Sequence, residues 1–486
     1  MNAARLFQRR QIQRRQLSGR SLALAAASML LAACASLSPD GGLDAVARGA
    51  QPHLGESVGV AWARTPEQRI ELDRRVAELL AQPLSADAAV QLALLNNRDL
   101  QAAYHQLGVA DADRVQASRL PNPGFSFGRT SRGEEREIER GLHFNLARLI
   151  ASPLVGPVEQ ARFEQTQAQT LMQVLSLAGE TRRAWVQAVA AGQRLRYAEQ
   201  VRSAAEAGAE LGRRMAAVGN WNALNLAREQ SFSADAALGV ARAARAQMAA
   251  RERLTRLLGL WGGQTTFTLP DRLPDLPEAA PDQPDIEQRA MLTRLDVQAA
   301  RLDAETTARH LGLSRRTRFI NVFELGLSRN SSNQAPTQRG YEISVELPLF
   351  DWGDARVAKA ESLYMQAVHR GAQAAINARS EVRETYLGYR SAYDVARHHR
   401  DEIVPLKKRI SDENLLRYNG MLIGVFELLA DARSQIAAVN ASIEALRDFW
   451  LAEADLRSVM VGKPGAASFA SPGLDSPGAA TAEAIH

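Results

Sequence analysis

Glu346-Leu347-Pro348-Leu349-Phe350-Asp351-Trp352-Gly353 is where two periodicities meet. Upstream, Tyr341, Ile343, Val345 and Leu347 alternate with Glu342, Ser344 and Glu346, which predicts a strand with one apolar and one polar face. Downstream, from about Ala355 to Val404, the pattern is helical. The residues between suit the change. Pro348 cannot donate to a ladder and ends it, Asp351 or Asp354 can cap a helix, and Gly353 permits a tight bend. Further upstream lie a polar loop at Ser328–Gly340, a partner strand at Phe319–Leu327 and a helix from about Asp285 to Leu313. In the other direction Pro405 interrupts the long helix, which continues to Tyr418, turns near Gly420 and resumes to about Val461.

The first half of the chain repeats this order. A helix from about Ala86 to Leu120 is stopped by Pro121-Asn122-Pro123. Two alternating segments follow, Phe125–Arg129 and Ile138–Leu146, with Thr130–Glu137 as the loop. In the second, Ile138, Leu142, Phe144 and Leu146 oppose Glu139, Gly141, His143 and Asn145, and Arg140 interrupts the apolar face. From Val158 the chain reads as helix for about 60 residues, breaks near Gly219, and resumes from Trp221 to about Leu260. Residues 81–277 and 278–462 are therefore two copies of helix, hairpin, very long helix, turn and helix, with hairpins at about 124–146 and 319–347.

The architecture follows from these parts. A helix of ~50 residues spans about 75 Å, beyond the needs of a globular domain, and must find partners along its length. Its stripe is thin and rich in alanine, as in Ala184, Ala188, Ala191 and Leu195, which suits close lateral packing in a helical tube and would equally suit a filament or solid bundle. The strands favour the tube: alternation of this length matches a strand with lipid on one side and water on the other. Four strands cannot close a barrel, and an open edge cannot sit in hydrocarbon, so several chains must pool their hairpins.

The amino terminus indicates export. Residues 1–33 combine six arginines and no acidic residue with an apolar run from Ser21 to Ala33, the pattern of a signal peptide. The run ends in Leu31-Ala32-Ala33-Cys34, which resembles the lipobox of a bacterial lipoprotein and predicts acylation of Cys34. Residues 34–80 read as an extended arm with a helical patch at Glu67–Leu80, and residues 463–486, rich in Ala, Gly, Ser and Pro, as a disordered tail. Removing the signal leaves 53 of the 59 basic residues against 54 acidic ones, so the apparent basicity is no sign of a nucleic-acid partner. Cys34 is the only cysteine, which excludes an intrachain disulfide, and no nucleophile–base or metal-ligand spacing points to an enzyme, a metal site or a cofactor.

The segment Pro348, Leu349, Phe350, Asp351, Trp352, Gly353, placed after a strand and before a long helix, closely resembles the strand-to-helix junction of the TolC-type outer-membrane efflux factors. In the first half the junction is degenerate, with Pro153, Gly156 and Pro157 in its place. The family's far helix turns are matched by Met215, Gly219, Asn222, Leu224, Asn225 and Gln230, and by Arg417, Tyr418, Asn419, Gly420, Glu427, Leu428, Leu429 and Ala432. The resemblance implies a mainly α chain with transmembrane β, acting as a homotrimer: twelve strands form one barrel in outer-membrane lipid and the long helices form a periplasmic tunnel. It also implies a periplasmic adaptor, which would meet the turns at Gly219, Asn222 and Gly420, and an inner-membrane transporter, an RND-type pump by preference. Arg417, Tyr418 and Glu427 would form a gate at the tunnel's end, with Glu427 open to the plainer reading of a solvated helix carboxylate. Glu324, Glu342 and Glu346, with His143, would face the lumen, setting its field or merely hydrating its wall. A type I protein-secretion duct shares the fold, and a non-channel helical lipoprotein is the structural alternative.

Overall fold

The structure, a computed structural model, describes residues 36–55, 58–318, 322–346 and 349–462. The signal peptide, Cys34, Pro348 and the carboxy-terminal tail lie outside the described residues. Among the described residues, eleven α-helices and four strands follow in order: α1 (Leu43–Leu54), α2 (Pro66–Leu80), α3 (Ala86–Asn96), α4 (Arg98–Ser118), β1 (Gly124–Arg132), β2 (Glu135–Asn145), α5 (Leu146–Ala217), α6 (Ala223–Leu258), α7 (Ile286–Thr293), α8 (Leu295–Thr317), β3 (Phe323–Ser332), β4 (Gln338–Val345), α9 (Asp354–His398), α10 (Val404–Asn419) and α11 (Val425–Val461).

The chain divides into two compact units, each drawing on both repeats. The first holds α1, α2, α4, the four strands, α5 up to Leu171, α8 from Gln298 and α9 up to Ile376. Its sheet is antiparallel throughout, in the order β1-β2-β3-β4, which leaves β1 and β4 as open edges. The arm is more helical than expected, because α1 precedes the helical patch. It docks on the unit: Ser38 N–H donates to Asp111 Oδ2 at 2.7 Å, Gln101 Nε2 donates to Ala61 O at 3.0 Å, and Leu72, Val76 and Leu95 form a small core.

The second unit holds most of α3, α5 from Met172, α6, α7, α9 from Asn377, α10 and α11. Leu276, Ile286, Val382, Tyr389, Tyr393, Phe449, Leu456 and Val459 build its core. The extended segment between α6 and α7 is tied down by side chains of the neighbouring helices. Trp450 Nε1 donates to Pro274 O at 3.0 Å and Tyr393 Oη to Glu278 O at 2.6 Å, while Tyr386 Oη donates to the Asp282 carboxylate at 2.6 Å.

Several boundaries differ from the sequence-based expectation for identifiable reasons. The single helix expected over Ala86–Leu120 breaks at Asn97, whose side chain accepts from Leu100 N–H at 3.1 Å and starts a new helix. The helix expected over Asp285–Leu313 breaks at Arg294 with the same backbone angles, φ −64° and ψ 123°. Asp99-Leu100-Gln101-Ala102-Ala103 and Asp296-Val297-Gln298-Ala299-Ala300 follow these breaks, a repeated sequence that marks the duplication more sharply than hydropathy does.

The helix expected from Val158 starts instead at Leu146, directly after β2, because Asn145 Oδ1 accepts from Arg148 N–H at 2.8 Å. Pro153 and Pro157 lie inside it, four residues apart, so their missing donors fall on one side. At Pro405 no break occurs. The helix widens into a π turn at His399–Ile403, where Val404 N–H reaches back to His399 O, making room for the proline ring.

Candidate functional site

Two regions carry candidate functional groups, the sheet and the helix turns. In the sheet, antiparallel register fixes which side chains share a face. Phe125, Leu142, Leu327 and Tyr341 form one cross-strand row; Phe144, Leu325 and Ile343 form the next; Phe323 and Val345 the third. Exposed Leu349, Phe350, which is 99% exposed, and Trp352 follow β4.

The opposite face is polar. Glu324 lies opposite Asn145 and Ser344, Glu342 opposite Gly326, and His143 between Gly124 and Gly326. Glu346 continues the alternation, its N–H donating to Val322 O at 3.1 Å. The three glutamates and His143 expected on one wall are thus on one face. Glu135, Glu137 and Glu139 join them, because β1 and β2 run on through the stretch expected as a loop, Thr130–Glu137, and meet at a two-residue turn with Gly133 at φ 64°. The loop expected at Ser328–Gly340 shrinks in the same way to the residues between Ser332 and Gln338. Asn333 in that turn accepts from Arg136 N–H at 2.8 Å and donates to Glu134 O at 2.9 Å, tying the two hairpin tips together. Charge alternation, Glu135-Arg136-Glu137-Ile138-Glu139-Arg140, was the signal that hydropathy missed.

At the junction, Gly353 is at φ 73°, and a Cβ there would lie 2.7 Å from Arg318 O, so no other residue fits without a shift. Asp351 Oδ1 accepts from Gly353 N–H at 2.8 Å, pinning the bend, while Asp354 stands as the first residue of α9, where a carboxylate favours the helix amino end.

The two far turns are built differently. After α5, Gly219 adopts φ 78° and both Asn220 and Trp221 donate to Met215 O, at 2.9 and 3.2 Å. Asn222 then caps α6 by accepting from Asn225 N–H at 2.8 Å. Gly420 has φ −81° and ψ 5°, open to any residue. The left-handed position belongs to Met421, φ 59° and 94% exposed, so that Leu422 N–H reaches Arg417 O at 2.8 Å.

Arg417, Tyr418 and Glu427 stand exposed near this turn. Their side chains make no ion pair or hydrogen bond among the described residues, so the structure does not join them within one chain. Glu427 sits in the first turn of α11.

The sequence reading missed a buried ion pair in the same unit. Glu229 on α6, 1% exposed, pairs with Arg433 on α11, whose guanidinium also lies 4.9 Å from the Phe232 ring centroid. Nothing in a helical Glu or Arg distinguishes such a pair before the helices are placed. Among the described residues there is no group of three or more His, Cys, Asp or Glu side chains able to hold a metal ion, and no helix is long and apolar enough to cross a membrane.

The chain is similar in fold to several solved outer-membrane channels. The chain is similar to a membrane protein from Pseudomonas aeruginosa, at 18% identity and TM-score 0.65, covering 80% of this chain and 94% of that one. It is similar to the outer-membrane channel OprN, at 18% identity and TM-score 0.64 over 88% and 97% of the two chains. The CmeC outer membrane channel of Campylobacter jejuni matches at 16% identity and TM-score 0.63, over 86% and 92%. No family model and no curated protein matches the chain. The fold is that of the TolC-type outer-membrane channels.

Proposed function

We propose that three copies of this chain form a passive, non-enzymatic duct through the outer membrane, serving as the exit component of a tripartite efflux pump. The observation that carries the reading is the four-stranded sheet, with two open edges, one apolar face and one face bearing Glu324, Glu342 and Glu346. Such a sheet is stable in a bilayer only when its edges are paired, and three copies joined edge to edge give a closed barrel of twelve strands, lipid outside and acidic groups within. The 72 residues of α5 would extend about 108 Å, enough to continue the wall into the periplasm. In this reading acylated Cys34 anchors the arm, the turns at Gly219 and Gly420 meet the adaptor, and Glu427 of three chains rings the constricted end. The adaptor would link the duct to an energised inner-membrane transporter of the RND type. Drugs or metal ions are the cargo it would pass.

The test is direct. Purified full-length protein should run as a heat-resistant trimer in detergent and give discrete conductance steps in a planar bilayer. A monomer without conductance would overturn the channel. A deletion strain should become more sensitive to copper, silver or common antibiotics; unchanged sensitivity with loss of a secreted protein would favour the type I secretion duct instead.

A further inference from the structure

The apolar face of the sheet carries a charged row that a passive duct does not require. Next to the row of Phe125, Leu142, Leu327 and Tyr341, toward the hairpin tips, come Phe127, Arg140, Arg329 and Arg339, three arginines directly opposed on adjacent strands. Arg129 and Arg136 lie further along the same face. Register places every acidic residue of the four strands, Glu135, Glu137, Glu139, Glu324 and Glu342, on the other face. Among the described residues none of these arginines has a carboxylate partner. Like charges directly opposed across strands repel, and their Cβ atoms lie about 5 Å apart, so anions supplied from outside the chain relieve the row.

We propose that Arg140, Arg329 and Arg339 bind the phosphate groups of lipid headgroups in the outer leaflet. The inference rests on the reading of the sheet as part of a membrane barrel. Position supports it. From the row of Phe323 and Val345 to that of Arg329 and Arg339 is six residues. At ~3.4 Å per residue and a tilt of about 40° this is roughly 16 Å along the membrane normal. Leu349, Phe350 and Trp352 extend the apolar belt at the end nearer the helices, so the arginines fall at its opposite boundary, where headgroups begin. An arginine on the lipid face is costly at mid-membrane but not at the interface, which favours headgroup depth for the row. Chemistry supports it too. The guanidinium forks pair bidentately with phosphate, and three on strands ~4.8 Å apart make a patch about 10 Å wide on each chain.

The experiment uses full-length trimer in neutral detergent, titrated with diphosphorylated lipid A, dephosphorylated lipid A or inorganic phosphate, with bound lipid counted by native mass spectrometry. Wild type should hold the phosphorylated lipid at least tenfold tighter than the dephosphorylated one, with inorganic phosphate competing only weakly. The R140Q/R329Q/R339Q variant should lose that preference, while R132Q, on the acidic face of the same sheet, should keep it. Equal retention of the two lipids by wild type, or an equal loss in R132Q, overturns the proposal. Should the triple variant not assemble, the wild-type comparison alone decides. Conductance in phosphatidylcholine bilayers is recorded in parallel, so failure of the channel and failure of the lipid site are read separately.

Discussion

The two far turns make opposite demands on their glycines, and this can be tested one substitution at a time. At Gly219, φ is 78° and an added Cβ would meet nothing within 4 Å, so alanine carries only the backbone penalty. That penalty is about 1–2 kcal/mol, reduced by ~0.4–1 kcal/mol because alanine also restricts the unfolded chain, for a net loss near 1 kcal/mol. At Gly420, φ is −81° and the nearest atom to an added Cβ is Leu416 O at 3.5 Å, an ordinary contact. Gly420→Ala should therefore stabilise its turn by about 0.4–1 kcal/mol. Met421, at φ 59°, is the strained position, and Met421→Gly should be neutral to stabilising by up to ~1 kcal/mol. Hydrogen exchange on the purified protein reads these as local opening constants, with 1 kcal/mol worth about a fivefold change. Exchange at the end of α5 should quicken about fivefold in Gly219→Ala, and exchange at the end of α10 should slow in Gly420→Ala. Equal quickening at both turns would refute the reasoning and return the left-handed role to Gly420.

Arg294, 1% exposed, bridges Asp296 and Glu381 at 2.6 and 2.8 Å, so Arg294→Met should cost about 3 kcal/mol by stranding two carboxylates, read as a lowered urea midpoint. For Glu229 and Arg433, either single change, Glu229→Gln or Arg433→Met, should destabilise more than the two together, and additive losses in the double-mutant cycle would refute a buried charge pair. Burial, with Arg162 and Lys359 nearby, holds the His310 imidazole below its ordinary range. Above about pH 6.5 it therefore contributes nothing to pH dependence, while below it the unfolded chain binds a proton that the folded chain resists. Stability should fall as pH drops from ~6.5 through the depressed value, and a His310→Gln variant with an unchanged pH slope between 5 and 8 would show that another group is responsible. Glu427→Lys should change single-channel conductance at least twofold if three copies face one another near the axis; an unchanged conductance removes Glu427 from the constriction.

The faces of the sheet were legible because strand alternation is binary: Tyr341, Ile343 and Val345 can only share a side. Strand length was less legible. Beyond the apolar rows the residues on the two faces are Arg and Glu, which a hydropathy reading counts alike, so the hairpins looked shorter than they are. The helix breaks were hidden for a different reason. Asn97 and Arg294 change two backbone angles without disturbing the apolar period on either side, and only the repeated Asp-x-Gln-Ala-Ala betrays them. At the first junction the opposite error arose: Pro153 and Pro157 read as a junction ahead of the helix, whereas α5 already runs through both from its start at Leu146, capped by Asn145. Glu229 and Arg433 became a pair only when two helices distant in sequence were brought side by side.

The repeated turn shows how a duplicated fold can diverge without losing its backbone. Both copies bend at φ −64° and ψ 123°, and both continue with an aspartate one residue into the next helix. In the first copy Asn97 satisfies the new helix itself, accepting from Leu100 N–H, and Gln101 is available to hold the arm through Ala61 O and Ala63 N–H. In the second copy arginine stands where asparagine would cap. Asp296 takes over the capping role on Val297 N–H at 2.9 Å, and Arg294 is free to cross to Glu381 on α9. Gly462, at φ 98°, ends α11 so closely that a Cβ would lie 2.6 Å from the Asp296 carboxylate. One bend therefore fastens the amino-terminal arm in the first repeat and the chain's last helix in the second. What the two copies share is the backbone bend itself. The side chains at the bend were left to secure whichever end of the chain lay nearby.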